Sequence, residues 1–289
     1  MIIKPAFSPS AKDILRDRYL WRDEERNPVE KPEEMLERVA KHVAGAESSL
    51  AMQYKWADEF YDVMARLLFL PNSPTLMNAG RPEPHGQLAA CFVIGVEDSM
   101  ESICEALRKQ MLIHKSGGGT GFNFSKLRSE GAKVNSTNGR ASGPVSFMGL
   151  FDKATETVQQ GGMRRGANMG ILNIDHPDIR KFIHCKDKDG TITNFNISVG
   201  VFDGFMEKVQ SDPHGEEAAL LAEIADSAWR TGDPGIVFLD AINRGNTTPN
   251  LGELSSTNPC GESPLYPNEA CNLGSINIAK MVKDGAFDY

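Results

Sequence analysis

From about residue 71 onward the chain alternates short, strand-like apolar runs with longer helix-like stretches, and this alternation limits the folds open to it. Cys91-Phe-Val-Ile-Gly-Val96, Met169-Gly-Ile-Leu-Asn-Ile174 and Ile236-Val-Phe-Leu239 are short apolar runs. Phe195, Ile197, Val199 and Val201 alternate as the residues of one strand should. Between these runs, apolar residues recur at helical spacing. Met100, Cys104, Leu107 and Met111 share one helix face, and Phe147, Leu150, Phe151, Ala154 and Val158 mark another helix. A short helix runs from Pro177 to about His184, and residues 215–230 form a further one. Asp98-Ser-Met-Glu101 has the form of a capping box opening the first of these helices. Strands separated by helices form a parallel sheet that the helices cover.

The region before residue 71 reads as helical. Pro32 suits a first helical position, and Met35, Leu36, Val39, Ala40 and Val43 form an apolar stripe behind it. A second helix carries Trp56, Phe60, Met64, Leu67 and Leu68. The expected organisation is a helical region over 1–70 and an α/β region over 71–289.

The bulk properties narrow the function. With 40% hydrophobic and 24% charged residues, the 289-residue chain has ordinary globular composition. A net charge of −8 argues against a nucleic-acid backbone as partner, while a local basic pocket for a nucleotide stays possible. The N-terminus shows no apolar run ahead of Asp13, Arg16 and Asp17, and no stretch reaches the roughly 20 apolar residues of a membrane span. A cytoplasmic protein is expected. Five cysteines, an odd number, argue against a disulfide framework. Redox or catalytic use is the sharper reading, and buried thiols acting as small apolar residues the plainer one.

Two segments are rich in glycine. His114-Lys-Ser-Gly-Gly-Gly-Thr-Gly121 matches neither a phosphate-binding Walker loop nor a dinucleotide fingerprint. Its glycines permit close backbone approach to a ligand, or simply a tight turn. Gln159-Gln-Gly-Gly-Met-Arg-Arg-Gly-Ala-Asn168 places two arginines between glycines, which suits anion or base recognition as well as it suits a solvated loop.

Asn258-Pro-Cys-Gly-Glu262 is the most informative segment. In an extended loop, residues two apart project to one side, so Asn258, Cys260 and Glu262 would face a substrate together. A carboxylate there can take a hydroxyl proton, an amide can hold a neighbouring hydroxyl, and a thiol can exchange a hydrogen atom. The alternative is a loop with a buried thiol. Eleven residues further on, Ala270-Cys-Asn-Leu-Gly-Ser-Ile-Asn277 reads as a strand bearing Cys271. Cys260 and Cys271 lack zinc-ligand spacing and have no matching His pair nearby, so no metal site is expected. Cys104, on an apolar helix face, and Cys185, at a helix end, read as packing or bystander thiols.

Six segments in order carry a resemblance. They are Pro71-Asn-Ser-Pro-Thr-Leu-Met-Asn-Ala-Gly80, Leu88-Ala-Ala-Cys91, Ser116-Gly-Gly-Gly-Thr-Gly-Phe122, Gly161-Gly-Met-Arg-Arg-Gly166, Asn258-Pro-Cys-Gly-Glu262 and Cys271-Asn-Leu-Gly-Ser-Ile-Asn277. Together they resemble the catalytic subunit of ribonucleotide reductases, from about residue 8 to the end. The motif forms are most similar to the adenosylcobalamin-dependent class, and the expectation is that no ATP-cone domain precedes the helical region.

The resemblance implies a fold: a helical region, then the first half of a ten-stranded α/β barrel with a central finger loop. It implies that Cys260 carries a thiyl radical at the loop tip and that Asn258 and Glu262 contact the ribose hydroxyls. Cys91 and Cys271 would be the pair oxidised to a disulfide as substrate is reduced. Ser73, Ala90 and the loop Gly117, Gly118, Gly119 and Gly121 match substrate-contacting positions; some relatives have Ser where this chain has Ala90. Asp98 and Arg128 match residues that bind a deoxynucleoside triphosphate effector at a homodimer interface. The loop over 160–168, with Gln160 and Arg165, matches the one that relays effector identity to substrate choice. The implied partners are a ribonucleoside di- or triphosphate and a thioredoxin-like reductant.

The sequence stops at Tyr289, soon after Cys271, whereas the family's subunits continue through the remaining barrel strands. The expectation is that this chain alone is inactive and is completed by further sequence or by a second polypeptide. Two alternatives are a fragment of a large subunit whose radical comes from a metal-containing small subunit, and a non-catalytic effector-binding or subunit-interaction module.

Overall fold

The computed structural model describes residues 3–81, 86–134, 138–158, 166–188 and 190–288. Three helices come first: α1 (Pro9–Arg18), α2 (Pro32–Ala44) and α3 (Leu50–Ala65). Ser8 caps α1, accepting from the Ala11 N–H, and Ser49 caps α3 through the Met52 N–H. Pro32 opens α2 as expected, and the Glu34 carboxylate accepts from the Lys31 N–H at its start. Met35, Leu36, Val39 and Ala40 are buried, but Val43 is exposed. With Leu15, Met64, Leu76 and Ala79 they form a separate apolar core for this region.

A short strand, β1 (Phe69–Pro71), and a one-and-a-half-turn helix, α4 (Ser73–Asn78), lead into the α/β region. Its elements run β2 (Cys91–Val93), α5 (Met100–Lys115), β3 (Gly119–Asn123), β4 (Lys133–Val134), β5 (Gly139–Arg140), α6 (Pro144–Thr157), β6 (Asn168–Asn173), α7 (Ile179–Ile183), β7 (Phe195–Val201), α8 (Asp203–Ser211), α9 (Glu216–Thr231), β8 (Gly235–Phe238) and α10 (Leu239–Arg244). Then come β9 (Ser256–Thr257), β10 (Pro264–Leu265), β11 (Ala270–Cys271) and β12 (Gly274–Ile276). The stretch around Cys271 is therefore two short strands rather than one.

The main sheet has the order β11-β2-β3-β6-β7-β8. Five of these strands are parallel, and β11 joins the β2 edge antiparallel. One face packs on helices. Phe122, Leu172, Phe195, Ile197 and Val199 meet Ile103 and Ala106 of α5, Met148 and Phe151 of α6, Phe182 of α7 and Ile224 of α9. Phe122, Phe124, Phe151 and Phe195 make ring contacts at 5.0–6.4 Å in this layer. The other face carries a smaller apolar group, Met169, Ile171, Val237 and Leu239.

Of the expected α5 stripe, only Leu107 packs on the core. Met100 and Met111 are exposed, as is Cys104, whereas Ile103, Ala106, Gln110 and His114 are buried. Polarity misled the sequence reading because Gln110 and His114 are buried and bonded through one nitrogen each, while Gln110 Oε1 and His114 Nδ1 have no hydrogen-bond partner among the described residues. The Gln110 amide donates to Asn168 and Thr155, Thr120 donates to Asn168, and His114 Nε2 lies 3.2 Å from Thr120 Oγ1. Because the Thr120 hydroxyl hydrogen is committed to Asn168, His114 is the donor to Thr120 and carries its proton on Nε2.

Candidate active site

The segment expected to hold the chemistry is a hairpin laid across the inner face of the sheet. β9 and β10 pair antiparallel, Thr257 with Pro264 and Ser256 with Leu265. The tip is a closed turn, not the extended loop the spacing suggested. Asn258 N–H donates to the Ser263 carbonyl at 3.1 Å, Ser263 N–H to the Asn258 side-chain oxygen at 2.9 Å, and Gly261 N–H to the Asn258 carbonyl at 3.1 Å. Gly261 has φ +85°, a left-handed conformation that suits glycine at this corner. As a result Asn258 is fully buried while Cys260 and Glu262 are exposed at the tip.

The glycines of β3 explain how the hairpin fits. A Cβ on Gly121 would lie 1.8 Å from the Thr257 carbonyl oxygen, and one on Gly119 would lie 2.6 Å from the Pro259 ring. Sequence reading left the whole run as either a ligand-contacting loop or a plain tight turn. Instead, Gly119 and Gly121 lie in a strand and clear space for the chain's own hairpin. Gly117 and Gly118 end α5: their N–H groups donate to the carbonyls of His114 and Ile113, and Gly117 has φ +88°. That pairing is a Schellman cap.

Cys91 and Cys271 are register partners across β2 and β11. Antiparallel partners have Cα atoms roughly 4.5–5.5 Å apart, within the roughly 4.4–6.8 Å span of a disulfide. None of the five cysteines is disulfide-bonded. The Asn258 amide reaches Cys91 Sγ at 3.6 Å, so the hairpin tip touches the pair directly. Burial pushes the Cys271 thiol up from its ordinary pKa, the Cys91 and Ser263 groups oppose this, and the Glu262 carboxylate adds to it. The turn, the cysteine pair and Glu262 therefore occupy one place. Ala90 is buried beside them, donating to the Cys271 carbonyl and accepting from Gly119 N–H.

Ser73 begins α4, and its hydroxyl lies 2.8 Å from that of Tyr19. The neighbouring Asn72 donates its N–H to the Leu273 carbonyl, which sets this turn next to Cys271. The ladder of β1 with β12, Phe69 with Ile276 and Pro71 with Gly274, holds the helical region there.

A second site forms about the start of α5. Ser99, not Asp98, caps this helix through the Ser102 N–H. That leaves the Asp98 carboxylate to accept from Arg128 Nε at 2.7 Å and from the Arg128 N–H at 3.3 Å. The pair borders a cavity of about 600 Å³ that is also lined by Ser99, Arg140, Ser142 and Phe147. Sequence reading missed Arg140, which comes in on the β4–β5 hairpin; an arginine beside glycine on a two-residue strand gives no periodic signal. Gln160 and Arg165 lie outside the described residues. Among the described residues, no cluster of His, Cys, Asp and Glu has the makings of a metal site, and no helix is long and apolar enough to cross a membrane.

Comparison with known proteins bears on the family and the fold. The ribonucleotide reductase all-alpha domain matches residues 6–84, and the ribonucleotide reductase barrel domain matches 89–217 and 215–289. A vitamin B12-dependent ribonucleoside-diphosphate reductase of Thermoplasma acidophilum is 42% identical over 96% of this chain and 45% of its own length. The Mycobacterium tuberculosis protein of the same name is 44% identical over 98% of this chain and 43% of its own. The ribonucleoside-diphosphate reductase large subunit of Trypanosoma brucei is more distant, at 31% over 90% of this chain. The chain thus spans less than half the length of the curated relatives it matches. The fold is similar to that of the Actinobacillus ureae class Id ribonucleotide reductase alpha subunit, with a TM-score of 0.75 over 94% of this chain and 49% of that one, at 24% identity. On these matches the chain, with its helical and α/β regions, belongs to the ribonucleotide reductase large-subunit family.

Proposed function

We propose that this chain supplies the radical-bearing half of an adenosylcobalamin-dependent reductase that converts ribonucleotides to 2′-deoxyribonucleotides. The observation that carries the reading is the meeting of Cys91 and Cys271 in strand register beneath a hairpin tip that bears Cys260. In the proposed reaction a thiyl radical on Cys260 removes the 3′ hydrogen of the ribose. Glu262 takes a hydroxyl proton, the 2′ hydroxyl leaves as water, and Cys91 and Cys271 give up two electrons and two protons as they become a disulfide. The 3′ hydrogen then returns from Cys260. An external dithiol of the thioredoxin kind re-reduces the pair.

The cobalamin reading rests on the stronger identity to the vitamin B12-dependent relatives than to the Trypanosoma large subunit. The residues present fit it. Cys260 stands exposed on a turn whose base, Asn258, is fully buried, so the thiol is held in a fixed frame and remains reachable. When bound, the cofactor supplies a carbon-centred radical able to take a thiol hydrogen. This chain's part is to present that hydrogen at Cys260.

The cavity with Asp98, Arg128 and Arg140 suits the phosphates and sugar of a deoxynucleoside triphosphate effector. Met100, which lines this cavity, is exposed, as are Met111 and Leu112 of α5 and Leu150 of α6, which favours a homodimer through these helices. Chemistry that keeps dithiols reduced suits a cytoplasmic setting. In the enzyme completed with the rest of the barrel, Cys260→Ser is expected to lower turnover by at least about 1000-fold with an unchanged melting temperature. Retained deoxynucleotide formation in that variant would overturn the proposal.

A further inference from the structure

Among the described residues, two hydrogen bonds reach the turn that carries Cys260 from outside the hairpin or leave it for a neighbouring strand, Asn258 to Cys91 and one from a residue that sequence reading passed over. Asn196 Nδ2 donates to the Pro259 carbonyl at 2.8 Å. Asn196 lies on β7, where the flanking Phe195 and Ile197 point into the helix-covered core. Alternation along the strand therefore turns Asn196 to the inner face. In the ladder it stands opposite Met169 of β6, which in turn stands opposite Gly121 of β3. These three form one row across the sheet beneath the hairpin. Gly121 leaves room for Thr257, Met169 Cε lies 3.7 Å from where a Gly261 Cβ would sit, and Asn196 holds Pro259.

Pro259 is thus pressed on one side and tied on the other. Its ring sits against Gly119, with no space for a Cβ there, and its carbonyl is held by Asn196. The peptide so fixed is the one that joins Pro259 to Cys260. The turn's own hydrogen bonds, among Asn258, Gly261 and Ser263, close the hairpin tip but do not tie it to the parallel strands. Asn258 reaches Cys91 on the other side of the tip.

We infer that Asn196 is a positioning residue for Cys260: its amide fixes the Pro259–Cys260 peptide on the sheet and so sets the direction of the thiol. The inference rests on the proposed radical role of Cys260 for its purpose, but its geometry can be tested in the present chain without turnover. Asn196→Ala and the near-isosteric Asn196→Asp serve as variants, and hydrogen–deuterium exchange is read peptide by peptide. At pH 7 both are expected to speed exchange over 258–263 by about fivefold, the shift given by loss of one ordinary hydrogen bond. Exchange in β6, β7 and the helices stays at the wild-type rate.

The Asp variant adds a signature that simple packing would not give. Its ionised carboxylate cannot donate to a carbonyl, whereas the protonated acid can. The ratio of its exchange over 258–263 to that of wild type is therefore expected to fall towards one as the pH drops through the carboxyl range, while the ratio for Asn196→Ala stays flat. Exchange over 258–263 at the wild-type rate in both variants would overturn the inference. So would an increase spread evenly along β7, which would mark Asn196 as a residue of strand stability alone. In the completed enzyme both variants should lower kcat by about tenfold and leave substrate KM within about twofold, since a misdirected thiol weakens the reacting arrangement rather than binding. If the exchange results hold and no deoxynucleotide is made even by the unaltered completed enzyme, the proposed activity fails while the tether stands.

Discussion

The two faces of β3, β6 and β7 are made by alternate residues of the same strands, yet they obey opposite rules. Towards the helices stand Phe122, Leu172, Phe195, Ile197 and Val199, large and almost wholly buried. Towards the hairpin stand Gly119, Gly121, Met169 and Asn196, which supply absence of bulk, one flexible contact and one hydrogen bond. The outer face is chosen for volume and holds the fold together. The inner face is chosen for clearance and reach and holds the hairpin in place. A change on one face should therefore be felt as stability, and a change on the other as geometry.

The largest expected effect tests the outer face. Phe122 is fully buried within a cluster of four phenylalanines. Phe122→Ala should cost about 3–5 kcal/mol in denaturant unfolding, with exchange rising throughout the α/β region. If only the hairpin loosened, the division between faces would be wrong.

The next effect tests the polar end of the same face. Burial pushes the His114 imidazole down to about 4, the nearby Ala167 carbonyl opposing this. Between pH 6.5 and 4 the unfolded chain holds a proton on this ring that the folded chain does not, so stability falls as the pH falls through that window. The full loss amounts to about 3 kcal/mol, and it is complete below pH 4. His114→Gln, which keeps a donor for Thr120, should remove this part of the slope when unfolding is measured from pH 7 to pH 4. An equal slope in the variant would show that other groups carry it.

The inner face is probed by Gly121→Ala. The added methyl meets the Thr257 backbone at 1.8 Å, so the hairpin must lift. Overpacking of this kind costs about 1–3 kcal/mol. The sharper readout is fast exchange over 255–265 against an undisturbed helical layer. A uniform loss of protection would merge the two faces into one.

The smallest effect lies on neither face. Asp98→Asn keeps an acceptor for Arg128 but removes the charge, and should weaken deoxynucleoside triphosphate binding by about tenfold in a titration while melting stays within about 1 °C of wild type. A lower melting temperature with unchanged binding would make the pair a structural tie.

Much of this architecture is legible in the sequence, because the strands at 91–93, 168–173, 195–201 and 235–238 are apolar enough to announce themselves. What escaped notice did so for physical reasons. Glycine permits a turn and also permits a close neighbour, so the Gly117–Gly121 run could not be divided into its helix cap and its strand. Apolar periodicity marks a helix's buried face only when the interior is apolar, and on α5 a buried Gln110 and His114 broke that link. Asn196 is exposed, as a polar residue alternating with Phe195 and Ile197 suggests, and nothing in the sequence shows that its amide reaches the Pro259 carbonyl. Asn258, Cys260 and Glu262 were read as facing one side of an extended loop, whereas the structure has a closed turn with Asn258 buried and the other two exposed.

The ladder position of Cys91 and Cys271 has a consequence for the chain as a polymer. The two lie 180 positions apart, so a bond between them would close most of the α/β region into a single covalent ring. By the chain-entropy estimate, a ring of that length removes about 5 kcal/mol of freedom from the unfolded state. The bond would sit on the seam where β11 joins the parallel strands, so each cycle of oxidation and reduction would fasten and release the edge of the sheet. The melting temperature of the protein would then count its electrons.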